Sequence, residues 1–416
     1  MKSPSKLQQN SGVRGGIALL ITLVILTLLA VFMTEFSFET KLETRGIQNY
    51  QASFKARNAV KSMFKAVIEG IESHEEIIFF RQYVRSFFSM GTSRKDVSIL
   101  NPPDPIRLPA GVISDFPDVA FYTPYIRPID HLYNLNRIQT PPFRTVNPES
   151  KSDVHLANQF INIINKMGIN SESNDRDSLI RQNEQFDYNE ILKLYAAIFD
   201  WMDKDSNIYD SSIYGAIGAE KDAYIYAEQP IEIKNGYFDQ LKEIKLINAI
   251  KEKKTPQKFW NDSFTTYPVG NKYVPSSNHT TVNPRININL ATFEEIVEFL
   301  EQYDQQTNYF INYSQSNFAN NYSQNFYQKR IEIAEELTKI PRIKLKKNDI
   351  KNKLRNITQY YSKADDYFTP HSYWYEIILK TEISKVIAEV SAIVSVDRNK
   401  DNGIVKEIII HDFFLN

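Results

Sequence analysis

Hydrophobic positions change their spacing along this chain, and each change predicts a different element. From Gly15 to Met33 the sequence GGIALLITLVILTLLAVFM carries no charge. It comes close to the roughly 20 apolar residues that cross a bilayer as one helix. Lys2, Lys6 and Arg14 precede the run, and Glu35, Glu39 and Glu43 follow it. That bias predicts a cytoplasmic N-terminus with everything beyond Met33 outside. Further on, Phe36, Phe38, Leu42, Ile47, Tyr50, Phe54, Val60, Phe64, Val67 and Ile68 recur at mostly helix-compatible steps, with charges between them. No proline occurs between Pro4 and Pro102. The pattern predicts one helix from Ile17 to Gly70, apolar in its first half and amphipathic in its second. At 1.5 Å per residue it is roughly 80 Å long.

From His74 to Ile113 the pattern passes from helical to proline-broken, at Pro102, Pro103, Pro105 and Pro109. Residues 118–138 are rich in aromatic and β-branched types and predict one or two strands interrupted by proline. Pro141-Pro142 and the polar run Asn147–Ser152 read as a linker. Residues 153 to about 365 follow helical periodicity, as in Leu156–Met167, Tyr188–Asp200 and Phe293–Leu300. The Asn/Tyr-rich stretch Thr307–Gln328 predicts a mobile loop. Lys344, Lys346 and Lys347 read as a solvated face. From Ser372 the period turns to that of strands, in Tyr373–Leu379, Ile383–Val396 and Ile404–Phe414. Asp397–Gly403, ending in Asn402-Gly403, predicts a hairpin turn between the last two. The expected class is α+β.

Composition narrows the function. Lysine and arginine number 49 against 50 aspartates and glutamates, a net charge of −1. A nucleic-acid protein would show a strongly basic face or domain instead. There is no cysteine, which excludes thiol catalysis, disulfides and thiolate zinc sites together. No G-x-G-x-x-G, Walker A or G-x-S-x-G pattern occurs. The six histidines are scattered, and no catalytic residue is assigned.

The one candidate site is acidic. Asp200, Asp203 and Asp205 fall at a helix end, close enough to converge once the helix unwinds. A hard cation such as Ca²⁺ takes six to eight oxygens, so Glu220, Asp222 or a backbone carbonyl would have to complete the set. The alternative is a helix C-terminus with solvated acids. Asp397, Asn399 and Asp401 mimic a calcium loop, but Asn402 stands where glycine is needed and Ile408 where a bidentate glutamate is needed. A plain turn is the reading there.

The leader through Arg14-Gly15-Gly16, followed by Ile17-Ala18-Leu19-Leu20, resembles a class III signal peptide. That resemblance implies cleavage by prepilin peptidase after Gly16, leaving Ile17 as a methylated first residue. Most pilins carry glutamate at mature position five; Ile21 stands there, as in the K-class minor pseudopilins of type II secretion. Further blocks resemble that class in its order: Asn134-Leu135-Asn136, Asp200-Trp201-Met202-Asp203-Lys204-Asp205, Gly218-Ala219-Glu220 with Tyr224, Asn235–Leu246 and Arg285–Ile296. Residues 75–120 and 305–370 match nothing in the class.

The resemblance implies a pilin-like long N-terminal helix packed on a C-terminal antiparallel sheet, interrupted by a large helical insertion. The expected division is a leader at 1–16, a transmembrane part at 17–35, and the amphipathic helix with the first pilin-like part at 36–138. The insertion follows at 139–370 and the terminal strands at 371–416. It implies calcium in the helical region, at Asp200, Asp203, Asp205, Glu220 and Asp222. The implied partners are the I- and J-class minor pseudopilins, the major pseudopilin, prepilin peptidase and the inner-membrane secretion platform. The implied role is a non-enzymatic cap on the pseudopilus. A second reading is a signal-anchored periplasmic enzyme or sensor with a helical ligand domain. A third takes Arg285–Leu300 as part of a helix-hairpin-helix nucleic-acid module, against which the neutral charge counts.

Overall fold

A helix of 63 residues, α1 (Ser11–Ser73), dominates the molecule. It is roughly 95 Å long. The computed structural model describes residues 11–73, 80, 98–111, 113–138, 157–164, 186–204, 207–211, 216–225, 230–247, 257–268, 284–303, 319–338, 350, 352, 367–398 and 404–416. α1 starts before the expected Ile17, so Gly15 and Gly16 lie within it. Each glycine costs about 1 kcal/mol against alanine, which the long apolar stretch behind them offsets by propagation.

The two halves of α1 behave differently. Leu19, Ile21, Leu26, Phe32 and Phe36 are all exposed, and the helix is long and apolar enough to cross a membrane. Ala52, Ala56, Ala59, Val60, Phe64, Val67 and Ile71 are buried, a stripe at the helical period. The small alanines let the helix backbone approach its neighbour closely. The Thr381 hydroxyl donates directly to the Ala56 carbonyl at 2.9 Å.

That neighbour is an antiparallel sheet. In chain order the strands are β1 (Ala120–Phe121), β2 (Tyr125–Pro128), β3 (Tyr133–Asn134), β4 (Asp210–Ser211), β5 (Ala216–Ile217), β6 (Phe264–Thr265), β7 (Ile286–Asn287), β8 (Phe368–Thr369), β9 (Trp374–Ile383), β10 (Val386–Arg398) and β11 (Val405–Leu415). The main sheet runs β1-β9-β10-β11, with β2 also paired to β9. Tyr375, Ile377, Leu379, Thr381 and Ile383 alternate inward along β9; Ala388, Val390, Ala392, Val394 and Val396 do so along β10. This inward face carries Thr381 onto α1.

The expected three-strand meander is present, with one correction. Ile383 ends β9 rather than opening β10, and the turn is Ser384-Lys385, at φ 48° and 72°. Left-handed residues at both central positions match the twist of the strands they join. Neither residue is glycine, asparagine or aspartate, so no turn signal marks the place. Asp397 and Arg398 extend β10; the rest of the expected turn, 399–403, lies outside the described residues.

Two small parallel ladders tie the insertion to the sheet: β3 with β6 and β7 with β8. Both are built the same way. The Asn134 side-chain oxygen accepts from the Asn136 N–H at 2.9 Å, and Asn287 accepts from Asn289 at 3.0 Å. The second asparagine then donates across: Asn136 to the Thr266 carbonyl at 2.7 Å, Asn289 to the Pro370 carbonyl at 2.7 Å. On the partner strand Thr265 accepts from the Tyr267 N–H and Thr369 from the His371 N–H. Strands of two residues are too short to show a period, so the helical pattern of 153–365 conceals β6 and β7.

Among the described residues, the insertion shares its core with α1 and the sheet. Val60 of α1, Val394 of the sheet, and Trp201, Trp260 and Leu300 of the insertion belong to one contiguous buried cluster. The expected boundaries at 139 and 370 therefore divide chain rather than core. The expected loop at Thr307–Gln328 is corrected in part. From Ala319 the chain is helical, Ala319–Thr338, and Ile333, Ala334 and Leu337 anchor that helix in the core. Packing of its second half carries the polar first half along. Lys344, Lys346 and Lys347 lie outside the described residues.

Candidate functional site

The helix Tyr188–Met202 sets the acidic site. It opens on a capping box, in which Asp187 accepts from the Glu190 N–H and Glu190 accepts from the Asp187 N–H, both at 2.8 Å. From Ile191 to Met202 every residue except Lys193 is buried, so the helix threads the core. Trp201 packs edge-on to Tyr224 at 5.5 Å and stacks with Phe238 at 6.5 Å, which fixes the rotation of the last turn. Asp200 on that turn is fully buried. Asp203 caps the helix in an extended conformation, its N–H donating to the Phe199 carbonyl at 3.1 Å.

The chain then returns over the helix end. β4 and β5 pair as Asp210 with Ile217 and Ser211 with Ala216, and the Gly218 N–H extends the pairing to the Tyr209 carbonyl at 2.9 Å. The Tyr209 N–H donates to Asp200 Oδ1 at 2.9 Å. Two residues past Gly218, Glu220 is buried as well. One carboxylate oxygen from each of Asp200, Asp203 and Glu220 lies within 4.8 Å of the others.

Of the five expected ligands, the fold brings these three together. Asp222 is exposed, in the first turn of the helix Lys221–Ile225, and stands outside the group. Asp205 lies outside the described residues. The sequence missed the Tyr209 N–H, because a backbone donor leaves no mark in residue type. Gly16 and Ile17 lie within α1.

Three ionised carboxylates this close repel by roughly 3.5 kcal/mol per pair at an effective dielectric of 20, so the site favours a proton or a cation. The donor set fits Ca²⁺. Oxygens 2.3–2.6 Å from one ion are at most about 5 Å apart, and the three observed oxygens meet that limit. The partial negative charge at the helix C-terminus adds to the attraction for a cation.

No family model matches the chain, and no curated protein matches it. Among solved structures, the crystal structure of the GspK-GspI-GspJ complex from the type 2 secretion system of enterotoxigenic Escherichia coli contains a similar chain. The two share 11% sequence identity at a TM-score of 0.48, and the match covers 90% of this chain and 99% of that one. The functional reading rests on the residues of this chain.

Proposed function

We propose that this chain is a K-class minor pseudopilin of type II secretion, a non-enzymatic subunit that caps the pseudopilus tip and helps start its assembly for export across the outer membrane. One observation carries the reading. α1 is apolar and exposed where a bilayer would receive it, then amphipathic and buried on an antiparallel sheet, and a basic N-terminal segment through Arg14-Gly15-Gly16 leads into its apolar run. In this reading the N-terminus is cytoplasmic, α1 crosses the inner membrane once, and the rest is periplasmic. Prepilin peptidase cuts between Gly16 and Ile17.

Tip placement follows from charge and bulk. In the pilin-like family a glutamate at mature position five neutralises the N-terminal amine of the adjoining subunit. An unpaired carboxylate in that apolar setting costs several kcal/mol. A first subunit has no amine above it to neutralise, and Ile21 spares it the charge. The insertion, fused to the sheet through one core, also obstructs stacking above it. The partners are then the I- and J-class minor pseudopilins beside it, with the major pseudopilin and the inner-membrane platform below.

Ca²⁺ is the proposed structural ion, held by Asp200, Asp203 and Glu220. When bound it supplies the positive charge that lets three buried carboxylates stay ionised. Asp200 and Asp203 then hold the helix end, and Glu220 ties the returning chain to it.

The test is co-expression of the full chain with prepilin peptidase and I- and J-class pseudopilins. The expected products are a mature chain beginning at Ile17 and a defined three-part complex, with labelled copies at one filament end. A chain retaining Met1, or label spaced along the shaft, would refute the reading.

A further inference from the structure

On the sheet face turned away from α1, one row reads acid, apolar, acid. Glu376 on β9 pairs with Ile393 on β10, and Ile393 pairs with Asp412 on β11. Directly opposed residues of antiparallel strands point to the same face, so these three side chains stand side by side. Neighbouring strands are about 4.8 Å apart, which sets the backbones of Glu376 and Asp412 roughly 10 Å from each other. All three residues line a cavity of about 380 Å³, whose wall also includes Leu132, Phe264, Tyr267 and the exposed Lys242.

The two acids are not equivalent. Asp412 accepts the phenol hydrogen of Tyr267. Glu376 receives no hydrogen bond from the described residues. Arg127 faces it across β2 and β9, but that guanidinium donates elsewhere: to the carbonyls of Leu100, Asn261 and Asp262 and the side chain of Asn101, at 2.6–3.1 Å. Lys380, on the same face, is taken by Glu389 at 2.8 Å. Burial pushes the Glu376 carboxyl pKa up, Asp262 adds to that, and Arg127 pulls it down. Glu376 is only partly buried, and a partly buried carboxylate that receives no hydrogen bond is favoured by a cation placed beside it.

We propose that this cavity binds a linear aliphatic diamine. One ammonium pairs with Glu376, the other with Asp412, and the methylenes lie over Ile393 beneath Leu132 and Phe264. Acids on backbones roughly 10 Å apart suit two ammonium groups separated by about five methylenes. A lysine side chain carries one ammonium only and leaves the second carboxylate unmatched. The proposal stands independently of the pseudopilin reading.

The test is calorimetric titration of the full chain in detergent with 1,5-diaminopentane, 1-aminopentane and Nα-acetyl-lysine amide. The diamine is expected to bind at least tenfold more tightly than either monoammonium compound, and Glu376→Gln and Asp412→Asn are each expected to erase that gap. A diamine no tighter than 1-aminopentane or the lysine amide would overturn the proposal, as would a gap that survives Glu376→Gln. Should that variant lose its far-UV circular dichroism, a diamine length series on the unaltered chain decides. Affinity that peaks near five methylenes supports the site; affinity flat with length overturns it.

Discussion

Gly218 lies directly against the carboxylate of Asp200: a Cβ at that position would stand 2.0 Å from Oδ2 and 2.7 Å from Cγ. No side chain fits, because the returning strand must come close enough for Tyr209 to donate to the same carboxylate. Gly218→Ala should therefore displace Asp200 and separate the three acids. Overpacking of this kind typically costs 1–3 kcal/mol. A melting midpoint equal to that of the unaltered protein would show that the helix end yields without strain.

Calcium should raise the melting midpoint of the full chain in detergent relative to chelator. At a hundredfold excess over Kd the expected stabilisation is about 2.7 kcal/mol. Asp203→Asn should reduce the shift, whereas Asp222→Asn should leave it intact, since Asp222 is exposed and outside the converging group. Superimposable curves with and without calcium would leave the acids without a metal role.

Stability should fall on acidification through His131. Burial, aided by the Arg127 guanidinium, pushes its pKa down to about 3, although the residue as a whole is only partly buried. A pKa depressed below the unfolded value near 6.5 means that folding favours the neutral ring. Its contribution is then complete above pH 6.5 and is lost as pH falls from there toward 3, with a limiting slope of about 1.4 kcal/mol per pH unit. Urea midpoints between pH 7 and 4 should decline less steeply in His131→Gln. Equal slopes would assign the loss to other groups.

Asn136 should be among the most sensitive positions away from the acids. It accepts from the Phe238 N–H at 2.8 Å and donates to the Phe238 and Thr266 carbonyls at 3.0 and 2.7 Å. Asn136→Ala strands these buried main-chain groups at about 1–3 kcal/mol each. Chemical denaturation should show a loss above 3 kcal/mol, and limited proteolysis should open the chain near 238 and 266. A loss below 1 kcal/mol would mean that the ladder reforms without the side chain.

The sequence by itself determined α1, the terminal meander and the neighbourhood of the acids. The first two follow from repeating patterns: an uncharged run, a helix-compatible recurrence, and strand-type runs along β9 and β10; of the recurring positions on α1, Val60, Phe64 and Val67 are buried, whereas Phe36, Phe38, Leu42, Ile47, Tyr50 and Phe54 are exposed. Asp200 and Asp203 were legible because the helical period ends beside them, and Glu220 because its block resembles one in the K class. The tertiary structure decided what depends on approach between distant segments. It chose Glu220 over Asp222, since in the chain's return over the helix end Glu220 is buried and Asp222 is left exposed. It placed the Ser384-Lys385 turn, where left-handed backbone is imposed by strand register rather than residue type. It paired Asn134 and Asn287 with strands far along the chain and merged the insertion with the sheet in one core. Periodicity encodes which face of an element is buried; what that face meets is set only when segments far apart in the chain pack together.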